Sequence, residues 1–177
     1  MTKSCRLFLI IILFSAFVNV TGQQNSIWSY KNNDQPAVLS YNLLDSIFET
    51  ARGFLKTKYV YGGCSEKGFD CSGFIYYIFN KYNILLSRSS GRLSSIGQNV
   101  DFEDIREGDL LFFKSRNMSS DKVGHVSLVI CKTENSFQMI HATNRGVVID
   151  NYSDISYYQN RFLFAKRFIS IDESCHM

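Results

Sequence analysis

Seven apolar residues, Leu39, Leu43, Leu44, Ile47, Phe48, Ala51 and Leu55, recur at three- and four-residue spacing. This pattern predicts an amphipathic helix with Ser40 as its N-cap and Asp45 and Glu49 on the far side. The segment Tyr59-Val60-Tyr61 ends in the Gly62-Gly63 pair, a turn signal. A second, largely buried helix is expected to begin at Cys71, because Phe74 and Ile78, like Ile75 and Phe79, lie four apart and Asp70 stands at the capping position. After a polar stretch from Ser87 to Asn99 the helical period is lost. The runs Asp109 to Lys114, Gly124 to Lys132, Phe137 to Ala142, Val147 to Asp150 and Phe162 to Ile169 are short and rich in Val, Ile, Leu and Phe, which predicts strands. No helix-length segment separates them, so hairpins and an antiparallel sheet are favoured over parallel crossovers. Helices first and strands later give an α+β domain over residues 40–170, with no internal repeat.

The N-terminus reads differently. Lys3 and Arg6 precede an apolar run from Leu7 to Val18, 12 residues long and followed by small and polar residues. That is short of the roughly 20 residues a membrane-spanning helix needs, and it has the layout of a secretory signal peptide over 1–22, with cleavage after Gly22. The protein is therefore expected to be exported, to the periplasm or beyond, with no stable membrane span. Cys5 lies before the apolar run rather than after it, so lipid attachment is not expected. Residues 23–39 are polar, close with the sole proline, Pro36, and read as an extended arm; 171–177 read as a tail.

Composition narrows the classes. Of 177 residues 45% are hydrophobic and 20% charged, the profile of a folded globular chain rather than a disordered, collagenous or coiled-coil one. Without Lys3 and Arg6 the chain keeps 17 basic and 16 acidic residues. There is no polybasic run, and nucleic acid is not expected as a partner. A monomer is expected.

Cys71 is the residue on which chemistry turns. In the first turn of a helix, a thiolate is stabilised by the free amides and the macrodipole, which would lower the thiol pKa and create a nucleophile. Gly73 costs that helix about 1 kcal/mol relative to Ala, a cost that makes sense if another chain segment or a substrate passes close to the backbone. A cysteine nucleophile needs a base. His125 opens one predicted strand and His141 ends the next, so each imidazole can be held at a strand end; His176 lies in the last three residues and is set aside. Alternation puts His125, Ser127, Val129 and Cys131 on one strand face. Taken singly, each of these residues could equally be structural: Cys71 a buried hydrophobe, Asp70 a plain cap, either histidine a packed one. A metal is not expected, because Cys64 and Cys71 are too far apart for a C-x₂₋₄-C zinc pair and no HExxH occurs. Four cysteines outside the leader (Cys64, Cys71, Cys131, Cys175) permit three disulfide pairings, with Cys64 and Cys131 read as buried free thiols.

Taken together, Tyr59-x-Tyr61-Gly62-Gly63, Phe69-Asp70-Cys71-Ser72-Gly73-Phe74, Ser87-Arg88-Ser89-Ser90, Glu107-Gly108-Asp109-Leu110-Leu111-Phe112-Phe113, Gly124-His125-Val126-Ser127-Leu128 and Ile140-His141-Ala142 stand in an order that resembles the NlpC/p60 family of cell-wall cysteine peptidases. The resemblance implies a papain-like α+β fold, no cofactor, and hydrolysis of peptidoglycan stem peptides, at the bond between D-glutamate and diaminopimelate or at the diaminopimelate cross-link. It implies Cys71 as nucleophile, His125 as base and then acid, and His141 as the residue that orients His125. Tyr59 would lie near the oxyanion, and Asp70, Ser72 and Arg88 would line the substrate cleft. Leu93 stands where the family often has Gln, which bears on the polarity of one cleft wall. An amidase or acyltransferase using the same Cys/His chemistry, and an inactive wall-binding module, are the alternatives.

Overall fold

The computed structural model describes residues 28–29, 37–39 and 41–171. The signal segment, the tail beyond residue 171 and the expected cap Ser40 lie outside them. Two short strands come from the segment read as an arm. β1 (Trp28–Ser29) runs parallel to Ile84–Leu85, and β2 (Ala37–Leu39) runs parallel to Ile169–Ile171. Leu39 thus belongs to a strand, and helix α1 is Tyr41–Gly53, its apolar stripe of Leu44, Ile47, Phe48 and Ala51 buried.

A two-stranded hairpin, β3 (Cys64–Ser65) and β4 (Gly68–Phe69), leads into helix α2 (Cys71–Asn80). Asp70 caps α2 as its sequence position predicts: its backbone is extended and its carboxylate accepts the Gly73 amide at 2.7 Å. Phe74, Ile75, Ile78 and Phe79 are fully buried, each worth about 1.5–3 kcal/mol relative to an exposed position. Gly73 has the reason its sequence position suggested. A Cβ there would lie 2.0 Å from the Gly63 carbonyl oxygen and 2.9 Å from the Arg88 guanidinium carbon, so the helix start can pack against the β3 approach only without a side chain.

The stretch from Ser87 to Asn99, read as polar and irregular, holds helix α3 (Ser90–Leu93) and most of strand β6 (Gln98–Val100), after strand β5 (Ile84–Leu85). Both elements are too short to impose a hydrophobic period. Four of the expected strands form within a residue or two, β7 (Leu110–Lys114), β8 (Val123–Lys132), β9 (Phe137–Thr143) and β10 (Gly146–Asn151), whereas an unexpected one-turn helix α4 (Ser156–Gln159) follows them and the run expected as one strand over 162–169 divides into β11 (Phe162–Arg167) and β12 (Ile169–Ile171). Five of these strands, with β6, form one antiparallel sheet in the order β10-β9-β8-β7-β11-β6. Its strands read as near-continuous apolar runs because both faces are covered. Leu110, Phe112, Val126, Leu128 and Ile140 pack with α1 and α2, while Leu111, Phe113, Val129, Phe137 and Met139 pack with Tyr152 and Tyr158. The architecture is α+β, helices on an antiparallel sheet. Among the described residues no helix is long and apolar enough to cross a membrane.

Asp109 explains the Glu-Gly-Asp-Leu run. Fully buried, it accepts two hydrogen bonds from Arg167 at 2.8 Å each and one from the Arg106 amide at 2.9 Å. The pair ties the start of β7 to the end of β11. Asp109→Ala leaves the Arg167 charge uncompensated, and is expected to lower unfolding stability by about 3 kcal/mol, read as a reduced denaturant midpoint. A change below 0.5 kcal/mol, within the noise of surface substitutions, would remove the pair from the fold's supports.

Candidate active site

The site forms where α2 meets the ends of β8 and β9. These two strands pair from Leu128 opposite Ile140 to Lys132 opposite Phe137, with a register shift between Val129 and Cys131, and the segments carrying His125 and His141 extend beyond that mutual pairing. There the backbone amide of Val126, the residue after His125, comes close enough to the Cys71 sulfur to favour its thiolate. A register shift between Phe113 and Lys114 leaves Gly124 of β8 bulged, with no residue opposite it on β7, immediately before His125. A Cβ on Gly124 would lie 2.4 Å from the Cα of Ser115, so the glycine before His125 lets β7 and β8 cross closely. Bulges of this kind re-aim side chains beside sites.

Three side chains then form a chain of hydrogen bonds. His125 Nε2 lies 2.9 Å from His141 Nδ1, and His141 Nε2 lies 3.0 Å from Asp150 Oδ2. The proton positions follow from the last member. An ionised carboxylate only accepts, so His141 must donate from Nε2, which leaves its Nδ1 as an acceptor. His125 therefore donates from Nε2, and its own Nδ1 carries a free lone pair. Arg145 also bonds Asp150. Burial works against the Asp150 charge, but the hydrogen bonds from His141 and Arg145 outweigh it and hold the carboxyl below its usual range. Both imidazoles are held neutral. Burial, with the neighbouring His141, depresses His125, and burial depresses fully buried His141 despite Asp150. Tyr158 packs against both rings, with centroids at 5.8 and 5.0 Å, its hydroxyl pushed up to about 12 by burial.

The thiol departs from the sequence expectation. The amides of Val126, Ser72 and Cys71 favour the thiolate, as a helix N-terminus should, but burial and the nearby Asp70 carboxylate outweigh them and push the thiol up. At rest the Cys71 thiol and the His125 imidazole are both neutral. Tyr59, partly exposed at the cleft, has its hydroxyl raised by burial and by Cys71 and Asp70, so it keeps its proton and can donate.

Asp70, Ser72 and Arg88 come together as one bracket under α2. Arg88 donates to Asp70 at 2.8 Å, to Ser72 at 3.0 Å and to the Gly63 carbonyl at 3.0 Å, and Asp70 also accepts the Gly62 amide at 2.9 Å. Their polar atoms are directed at one another, fixing the Gly62-Gly63 turn against the Cys71 turn. Leu93 is fully buried in the core and does not form a polar cleft wall. Cys131 sits half-buried beyond a register shift that breaks the expected face, and Cys64, read as buried, is exposed on its short hairpin. Among the described residues no three metal-ligating side chains gather to hold an ion.

Asp150 escaped the reading of the sequence. The signal was there: in the β9–β10 hairpin Val148 stands opposite His141, which puts Asp150 at the diagonal position within side-chain reach.

The NlpC/P60 family profile matches residues 56–167. The chain belongs to the NlpC/P60 family. It is similar to two Bacillus subtilis proteins: γ-DL-glutamyl hydrolase, 38% identical over 123 residues, covering 68% of this chain and 29% of that one, and γ-D-glutamyl-L-lysine dipeptidyl-peptidase, 34% identical over 106 residues, covering 60% and 34%. The chain thus spans about a third of the length of these two relatives. The crystal structure of an NlpC/P60 family protein from Bacillus cereus superposes with a TM-score of 0.64 at 32% identity, covering 72% of this chain and 40% of that one. All of the site elements described above lie within the NlpC/P60 match.

With the thiol raised from its ordinary value of 9.0, the free protein holds less thiolate at neutral pH than an exposed cysteine does. Alkylation of Cys71 by iodoacetamide is therefore expected to be slow at pH 7 and to climb through and above pH 9. A rate already at its plateau near pH 6 would reveal a thiolate–imidazolium pair instead.

Proposed function

We propose that the protein is an exported cysteine peptidase that hydrolyses γ-D-glutamyl bonds in peptidoglycan stem peptides. The observation that carries this reading is the Asp150–His141–His125 chain, which leaves one imidazole lone pair available on the strand whose next residue, Val126, acts on a cysteine at a helix N-terminus. The names of the two Bacillus relatives, both referring to γ-glutamyl bonds, favour the D-glutamyl bond over the diaminopimelate cross-link.

In this mechanism His125 Nδ1 takes the thiol proton as the Cys71 sulfur attacks the scissile carbonyl carbon. Because thiol and imidazole begin neutral, the charge separation is made during attack. The imidazolium that forms is stabilised through His141 by the Asp150 carboxylate, and the carbonyl oxygen, now negative, is met by the free Cys71 amide and the Tyr59 hydroxyl. The C–N bond then breaks, and the His125 proton passes to the leaving amine. Water, giving its proton to His125, attacks the thioester carbon; the carboxylic acid leaves and the thiol is restored. His141 and Asp150 act through His125 as positioning residues. The leader over 1–22 supports export to the compartment that holds the substrate.

Incubation of purified muropeptides with the protein should give fragments whose masses identify cleavage after D-glutamate, and Cys71→Ala should give none. Unchanged muropeptides despite an alkylatable Cys71 would move the assignment to an amidase or acyltransferase, and turnover by Cys71→Ala would remove the nucleophile. Asp150→Ala is expected to lower kcat by roughly ten- to a hundredfold, part of the 10²–10⁴ range for general acid–base catalysis, with KM little changed. An unaltered kcat and pH profile would dismiss the tautomer argument.

A further inference from the structure

A leaving amine must come within hydrogen-bond reach of His125 Nδ1 to receive its proton, so the residue that carries the amine lies on the His125 side of the cleft. That side is a cavity of about 610 Å³ that includes His125 and Tyr59 in its lining. Three cationic side chains line it, Lys114, Arg116 and Arg145, and no Asp or Glu does. Two of the three already have anionic partners. Lys114 pairs at 2.8 Å with Asp121, which is itself 84% exposed, and Arg145 is held by Asp150, whose charge is shared with His141. Arg116, exposed on the turn between β7 and β8, has no hydrogen bond or ion pair among the described residues. Its charge nevertheless reaches the Tyr59 hydroxyl, which places it beside the reaction centre rather than on a remote surface.

A guanidinium left unpaired at the wall of a cleft suits a ligand that brings its own carboxylate, because the planar fork matches that group and the charge-assisted bond is stronger than a neutral one. Arg145, which spends part of its guanidinium on Asp150 and is 53% exposed, retains further N–H donors for the same ligand. We infer that the His125 side of the cleft is an anion subsite, built on Arg116 and supported by Arg145, that selects a leaving residue bearing a free carboxylate. The inference rests on the peptidase reading above and adds to it the charge of the leaving group. The acyl side does not offer the same feature, since the Arg88 guanidinium there is committed to Asp70, Ser72 and Gly63.

Two synthetic tripeptides test it: L-Ala-γ-D-Glu joined to meso-diaminopimelate with its carboxylates free, and the same tripeptide with those carboxylates converted to amides. The wild-type protein is expected to favour the acid in kcat/KM by about tenfold, the weight of one charge-assisted hydrogen bond at a partly exposed site. Arg116→Gln should bring that ratio to within about twofold of unity, Arg116→Lys should keep a preference between the two, and raising the salt should shrink the wild-type ratio, since exposed charges are screened. Equal rates on acid and amide by the wild type, or a ratio unchanged in Arg116→Gln, would overturn the subsite while leaving the peptidase assignment standing. Turnover of neither tripeptide would overturn the peptidase assignment and the subsite with it.

Discussion

An imidazole can take a proton from a thiol only through a nitrogen that does not already hold one. In this protein that condition is met by a carboxylate two residues removed from the thiol chemistry. Asp150 accepts from His141, His141 accepts from His125, and the lone pair left on His125 is the consequence. Remove the negative end and nothing else described here distinguishes the two tautomers of either ring. The sheet exists, in part, to hold that order. Adjacent strands present His125 and His141 just beyond their mutual pairing, each held by the strand on its other side, and the next hairpin returns Asp150 to the diagonal position. Arg145 at the hairpin turn and the Tyr158 ring close the chain from the solvent side.

The nucleophile is held by a different network, and the two meet only at the cleft. Asp70 performs three tasks: it caps α2, it anchors the Gly62 amide and it neutralises Arg88. The absence of a side chain at Gly73 lets the Gly63 carbonyl and Arg88 approach the helix start. The resulting turn is rigid but carries a cost for reactivity, since the carboxylate that organises it opposes the thiolate beside it, and burial opposes it further. The helix field is present and loses. A resting neutral pair puts the burden of charge separation on the attack itself, where a preorganised acceptor chain behind His125 is of most use.

Much of this was legible in the sequence for a physical reason: long elements and special backbone positions leave strong local marks. Helix α2, its Asp70 cap, four of the five later strands and the strand-borne histidines follow from period, β-branched content and capping chemistry, while the fifth strand breaks at Phe168 because Ile169–Ile171 pairs with β2 instead. What was not legible depends on contacts between segments. β6 and α3 are too brief to carry a period. Leu93, read by its place in a motif, is placed by the core, and Cys64 is exposed because its hairpin is only two residues a side. Cys131 leaves the His125 face because a register shift intervenes, which alternation alone cannot foresee. Asp150 needed the hairpin register, not just the presence of an acid.

The charges around the cleft follow a common rule. Where a cation supports the fold or the tautomer chain, its partner is close: Arg167 with Asp109, Arg88 with Asp70, Arg145 with Asp150. In each pair the carboxylate is the buried member, and a buried charge costs several kcal/mol unless it is paired. Arg116 is under no such constraint, since it sits on an exposed turn where an unpaired guanidinium costs the fold almost nothing. Structure alone therefore does not explain its position beside Tyr59 and His125, whereas a ligand carboxylate arriving at the leaving-group side does. The cleft can then bias its substrates by charge with a residue whose loss the fold would scarcely register, while the residues that set the proton positions remain fixed by the sheet.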